Sequence, residues 1–213
     1  MELENENNKK QMILSIVGIL ILVVTIIGVS YAAFTFTKQG QEENVVRTGT
    51  VTMTYTEALN GISIENAIPM TEEKGKLLVG EGEIFDFTVS ADIMGKTTIN
   101  YEIVAEKDES STIDDQYIRL YLEKSSVADG SYSSVLEPKP FTPSTKKSTL
   151  GAPEGVMQLD TGSFSTADLE DVSVKKEFNQ YYRLRMWVDS SFELSENVST
   201  YKVTINVYGK GIE

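Results

Sequence analysis

Three kinds of motif in the chain carry residue types that do chemistry in other settings. Leu159-Asp160-Thr161-Gly162-Ser163 has the Asp-Thr-Gly form of aspartic proteases, in which two carboxylates share one proton across a water. Only one copy is present, so that chemistry would need two chains. The alternative is a strand that ends in an Asp-Thr-Gly turn, which suits the turn preferences of Asp and Gly. The turn is the reading adopted. Ser144-Thr145-Lys146-Lys147 and Ser173-Val174-Lys175-Lys176 each contain S-x-x-K, which acyl-enzymes carry on a helix beside further signature boxes. The first lies among prolines and neither has the other boxes, so no acyl-transfer site is expected. Asp168, Glu170 and Asp171 form an acidic group, as do Asp108-Glu109 and Asp114-Asp115. None has the EF-hand spacing, and solvated loop faces are expected. Asn197-Val198-Ser199 has the form of a glycosylation acceptor and is read as incidental.

The residue counts exclude more than the motifs suggest. The chain has no His and no Cys. Ser-His-Asp and Cys-His nucleophiles are therefore impossible within it. HExxH and three-His zinc sites are equally excluded, so any metal would be an oxygen-bound one such as calcium. No Gly-rich phosphate loop, lipobox cysteine or C-terminal sortase motif is present. The expectation is a protein without cofactor, metal or catalytic residues, hence not an enzyme.

One constellation suggests binding instead. Tyr181, Arg183, Arg185 and Trp187 alternate along one face of a strand whose other face is Tyr182, Leu184, Met186 and Val188. As an outward cationic-aromatic stripe they would contact a sugar, an acidic partner or a neighbouring subunit. As the second face of a central strand they would pair with acids inside the fold. The second reading is preferred.

The elements that would position these residues follow from periodicity. Residues 12–29 contain no charge, and as a helix would extend roughly 27 Å, about one bilayer core. Residues 1–11 form a polar n-region in which Lys9-Lys10 favours a cytoplasmic N-terminus. Residues 12–32 are then a signal peptide or a transmembrane anchor. Small residues in Ser30-Tyr31-Ala32 favour cleavage between Ala32 and Ala33 by a signal peptidase. Residues 33–213 form the exported domain, and its partner before cleavage is the membrane, through residues 12–29.

After Ala32 the period becomes two. Apolar residues alternate at Phe34 and Phe36; at Val51, Met53 and Tyr55; and at Phe85, Phe87 and Val89. The same holds for Ile99, Tyr101 and Ile103, for Ile118, Leu120 and Leu122, and for Val203, Ile205 and Val207. Residues 84–91 and 98–105 are expected to pair as a hairpin around Met94-Gly95-Lys96. Residues 71–82 read as loop, and residues 166–176 as one helical turn or loop with Ser165 as a possible N-cap. Four of the five prolines (Pro138, Pro140, Pro143 and Pro153) fall in residues 124–154, read as a long surface loop with a short edge strand. Eight or nine short strands predict an all-β antiparallel sandwich, jelly-roll-like at this length. Closed barrels and immunoglobulin-like sandwiches are the alternatives; the Cys-Trp-Cys pattern of the latter is absent.

The chain has 213 residues and a net charge of −13, of which −12 lies beyond residue 32. So acidic a surface disfavours nucleic acid as a partner. With no disulfides available, the core alone must hold the exported domain together.

Gly28-Val29-Ser30-Tyr31-Ala32-Ala33-Phe34-Thr35 resembles the exit sequence of the TasA and CalY (camelysin) family of Gram-positive bacteria. Thr48-Gly49-Thr50-Val51 stands where those proteins carry a Gly-Thr-Leu-like strand start, and the resemblance covers residues 9–56. Asn66-Ala67-Ile68-Pro69-Met70 is similar to a segment of exported proteins with the same type of leader. The resemblance implies processing by a SipW-type signal peptidase and a secreted jelly-roll subunit that assembles into matrix fibres. It also implies that the freed segment Ala33, Phe34, Thr35, Phe36 and Thr37 completes the sheet of the next subunit, as strand addition to an open edge. Pairing of that segment with its own domain is the alternative. The camelysin name implies a metalloprotease, which the absence of His leaves unsupported.

Overall fold

The computed structural model describes residues 35–39, 46–48, 51–57, 61–65, 68–80, 84–128, 130–171, 174–194 and 199–212. Among these residues eleven strands form two sheets. They are β1 (Thr35–Gln39), β2 (Val46–Thr48), β3 (Val51–Glu57), β4 (Ile62–Glu65), β5 (Ile84–Ile93) and β6 (Thr98–Lys107). β7 (Ile118–Ser125), β8 (Ser133–Lys139), β9 (Met157–Ser165), β10 (Lys176–Val188) and β11 (Thr200–Ile212) complete the set. One sheet runs β4-β11-β6-β9, with β1 also on β11; the other runs β2-β3-β5-β10-β7-β8. Every ladder is antiparallel.

This strand order defines the fold. The eight strands from β4 to β11 split into β4-β11-β6-β9 and β5-β10-β7-β8. That is the two-Greek-key arrangement of a jelly roll. β1, β2 and β3 are additions at its edges. The core lies between the sheets and is built by the alternating residues. β5 buries every second side chain from Phe85 to Ile93. Ile99, Tyr101 and Ile103 oppose them from β6, and Tyr201, Val203, Ile205 and Val207 from β11.

The expected hairpin between residues 84–91 and 98–105 does not form. β5 pairs with β3 and β10, and β6 pairs with β9 and β11. Gly95, at φ +87°, turns the chain from one sheet to the other. Alternation identifies the face that meets the core, and both sheets of a sandwich meet the same core.

Three further expectations are corrected. Residues 71–82 include one helical turn, α1 (Glu72–Gly75). Asp160-Thr161-Gly162 lies within β9, which continues to Ser165, and so is not a turn. Ser165 caps no helix; its Oγ accepts a local bond from the Ala167 amide at 3.2 Å. Residues 124–154 do contain the expected edge strand, β8, with Pro138 near its end. Most of the remainder is exposed, as a surface loop would be, but one part of it packs down. Leu150, Ala152 and Val156 join Val104 and Tyr208 in a small apolar cluster on the outer face of the β6-β11 sheet. The leader, the cleavage residues Ala32 and Ala33, and Phe34 lie outside the described residues. Among those described, no helix is long and apolar enough to cross a membrane.

Candidate functional site

One long strand, β11, organises the end of the molecule that the N-terminal segment reaches. Along one edge it pairs with β6 over residues 203–212. Its other edge is shared. β4 takes residues 200–203, and β1 takes residues 206–210. The β1 register sets Thr35 opposite Lys210, Phe36 opposite Gly209 and Thr37 opposite Tyr208. The end of the flexible Met53 side chain fills the space over Gly209: a Cβ there would lie 2.8 Å from Met53 Sδ, with the Met53 methyl closer still. On the outer face Tyr208 is buried against the 150–156 segment, and Asn206 Nδ2 donates to Glu106 Oε2 at 2.8 Å. The 206–210 stretch is thus held from both faces, by the core and by the covering loop.

Glu102 fastens that loop. It lies on β6, 2% exposed, with its carboxylate turned away from the main core. Ser148 Oγ donates to Oε1, the Ala152 amide reaches the same oxygen at 3.3 Å, and Gln158 Nε2 donates to Oε2 at 3.2 Å. A buried carboxylate is tolerated only when such donors replace water. Ser148 Oγ in turn accepts from the Leu150, Gly151 and Ala152 amides, at 3.1, 3.0 and 3.0 Å. Burial first, then Glu106 and Glu102, push the neighbouring Tyr208 hydroxyl above its ordinary range.

The cationic-aromatic stripe is not one open surface. Tyr181 and Arg183 are half-buried; Arg185 and Trp187 are buried. Arg183 donates twice to Asp86, both at 2.8 Å, and lies 4.7 Å from the Tyr132 ring centre. Arg185 donates to the Leu78 carbonyl at 2.7 Å and pairs with Glu123. Trp187 lies beneath Gly75 of α1. The segment around α1 is therefore a strap over the Arg185 and Trp187 end of the stripe, tied to β8 by Lys76 and Glu137 at 2.7 Å. Strap, Glu102 and Gly209 all escaped the sequence reading. Each depends on contacts between residues far apart in the chain.

The remaining motifs have structural employment. Asp160 accepts from Lys124 Nζ and from the Tyr182 hydroxyl, each at 3.1 Å, and Tyr182 meets the Tyr101 hydroxyl at 2.9 Å. Gly162 leaves space for the Tyr101 ring. Asp160 is thus engaged within its own fold, by a cation and a buried tyrosine. Ser144 Oγ donates to the Lys146 carbonyl at 2.8 Å, closing a local turn. Ser173 and Asn197 lie outside the described residues, and Lys175 pairs with Asp92 and Glu177, each at 3.1 Å. Asp115 accepts from Lys107 at 2.7 Å and from the Tyr201 hydroxyl at 2.8 Å. Among the described residues, no three His, Cys, Asp or Glu side chains gather to hold a metal.

Fold and site together define an antiparallel jelly-roll sandwich with an additional N-terminal edge strand. The sequence matches no family model and no curated protein. Among solved structures it is similar to that of the infectious bursal disease virus Gx strain, at 10% identity and a TM-score of 0.38, over 76% of this chain and 32% of the viral one. It thus spans about a third of that viral chain. TmCBM61 in complex with beta-1,4-galactotriose is also similar, at 7% identity and a TM-score of 0.21, over 73% of this chain and 86% of the other. Likenesses this distant carry no functional information, and the fold assignment rests on the strand order itself.

Proposed function

We propose that the chain is an exported cell-surface or biofilm-matrix structural protein that self-associates through its N-terminal strand. What supports this is the position of β1. It lies outside the eight-strand jelly roll, has one strand neighbour among the described residues, and follows directly on the leader in the chain. A strand so placed can leave without breaking either Greek key. The TasA/CalY-like exit sequence points the same way. A signal peptidase frees Ala33, and the freed segment joins a neighbouring subunit. The protein works by assembly, and no catalysis is assigned to it. Electron microscopy of the processed protein, with and without residues 33–44, tests the proposal. Filaments are expected only from the longer form; filaments from both would refute donation by this strand.

A membrane-anchored monomeric binding domain is the second reading. It is favoured by the half-buried Tyr181, Arg183 and Tyr132, which keep part of the outer sheet face accessible. An intact N-terminus on the cell-associated protein, found by N-terminal sequencing, would favour it over a start at Ala33.

A further inference from the structure

We infer that the open half of the outer β5-β10 sheet face binds an uncharged polysaccharide chain. Tyr181 is the stacking platform, and Asn179, Ser90, Thr88 and the Arg183–Asp86 pair supply hydrogen bonds. The inference rests on the second reading above, a binding domain, and adds the ligand class and the residues that meet it.

Two neighbouring strands build this floor. Their register sets Tyr181 opposite Thr88, Arg183 opposite Asp86 and Asn179 opposite Ser90. These six alternate with Phe85, Phe87, Val89, Tyr182 and Leu184, which enter the core, so all six stand on the outer face. Asn179 is exposed and the other five are half-buried. Two walls bound the floor. At one end the strap covers Arg185 and Trp187. Beside it, the turn that carries Gly130 lies over Ser125, the β7 residue opposite Tyr181: a Cβ at Gly130 would stand 2.7 Å from Ser125 Oγ. Tyr132 follows that turn, and its ring centre lies 4.7 Å from the Arg183 guanidinium.

The chemistry of the floor selects the ligand. Arg183 is paired with Asp86, and further along the face Lys175 is paired with Asp92 and Glu177. An acidic polymer would have to displace those carboxylates, and a chain of net charge −13 repels it. None of the six residues is aliphatic, so an apolar protein surface docked here would desolvate polar groups and gain little apolar burial. A sugar suits what is present. Its C–H face packs on the Tyr181 ring, and its hydroxyls both donate and accept. Ser90 Oγ donates to Asn179 Oδ1 at 2.6 Å, which leaves the Asn179 Nδ2 donors for a ligand oxygen. Arg183 and Asp86, joined twice at 2.8 Å, form a polar edge already fixed before the ligand arrives, so little ordering is needed on binding.

Affinity electrophoresis of the full chain, in a polyoxyethylene detergent, tests this. Each gel is cast with one polysaccharide: β-glucan, galactan, mannan or dextran as uncharged probes, alginate as the acidic one. At least one uncharged probe should retard the chain, and alginate should not. Tyr181→Ala should weaken the affinity at least about tenfold, while Tyr181→Phe, which keeps the ring, should stay within about threefold. Asn179→Ala, at an exposed position, should weaken it at least about threefold. Trp187, the single tryptophan, lies under the strap, so native emission from each variant reports folding and not occupancy. Retardation by no uncharged probe, or stronger retardation by alginate, would overturn the ligand class. Retardation untouched by both Tyr181→Ala and Asn179→Ala would overturn the floor. Lost self-association in Tyr181→Ala, with no polysaccharide bound by the unmodified chain, would assign the face to a second copy and overturn the sugar. A mature start at Ala33 would count against the anchored monomer yet leave the polysaccharide result standing.

Discussion

Gly75 lies against the indole of Trp187. A Cβ at Gly75 would stand 2.7 Å from Trp187 Cζ2 and closer still to Cε2 and Cδ2. The two residues are more than a hundred positions apart, and this contact seats the strap on the outer face of β10. Gly75→Ala should therefore destabilise the domain by about 1–3 kcal/mol, the usual range for overpacking a filled site. Urea unfolding followed by Trp187 emission measures it. An unchanged midpoint would show that the strap is not seated on the indole.

Glu102 holds the covering loop through three donors on Ser148, Ala152 and Gln158. Glu102→Ala leaves those donors facing an apolar cluster, and each buried group without a partner costs about 1–3 kcal/mol. The expected outcome is local. Trypsin should cut after Lys146 or Lys147 faster in the variant, while β11 stays intact. Glu102→Gln keeps one acceptor oxygen and should lie between the two. Unchanged cleavage would mean the loop is held elsewhere.

Tyr101 and Tyr182 share a hydroxyl contact at 2.9 Å between the two sheets, and Tyr182 also donates to Asp160. Either Tyr→Phe change leaves the other hydroxyl short of a partner. Each single variant should lose about 1–2 kcal/mol. The double variant should lose less than the sum, because the second change removes an already orphaned group. A double-mutant cycle from denaturant unfolding gives the coupling directly. Strict additivity would contradict the shared bond.

Alkaline stability follows from the same residues. Burial, reinforced by Tyr101 and Asp160, pushes the Tyr182 hydroxyl far above its ordinary range, and burial with Asp115 does the same to Tyr201. In the unfolded chain tyrosine ionises near pH 10. A folded value above the unfolded one gives stability that is complete below about pH 10 and is lost as pH rises further. Urea midpoints should be flat from about pH 8 to 9.5 and fall beyond. The fall should be shallower in Tyr182→Phe. Absorbance of ionised tyrosine should rise in step with unfolding for the buried rings. A normal titration of every tyrosine in the folded protein would overturn the assignment.

The sequence made the strands legible because burial on one face imposes a period of two. Phe85, Phe87 and Val89, or Tyr182, Leu184 and Met186, face the core as their alternation predicts. The same signal could not say which strands pair. Residues 84–91 and 98–105 look like a hairpin, yet they belong to opposite sheets. Asp160-Thr161-Gly162 looks like a turn, yet Gly162 is mid-strand because the Tyr101 ring needs the space. Tyr181, Arg183, Arg185 and Trp187 read as the second face of a central strand, and Arg183 and Arg185 do meet Asp86 and Glu123, but that α1 and Leu78 cover half of that face was not legible.

What the sequence alone determined is the class of element and the chemistry ruled out. Alternation demands strands with one face on a core, and a chain without His or Cys has no imidazole or thiol to work with. What only the tertiary structure decided is the strand order, the strap on Trp187, the loop fastened to Glu102, and the shared edge of β11. Each depends on residues distant in the chain meeting across or beside a sheet. Local periodicity records which way a side chain faces, but it carries no information about the neighbour it will meet there.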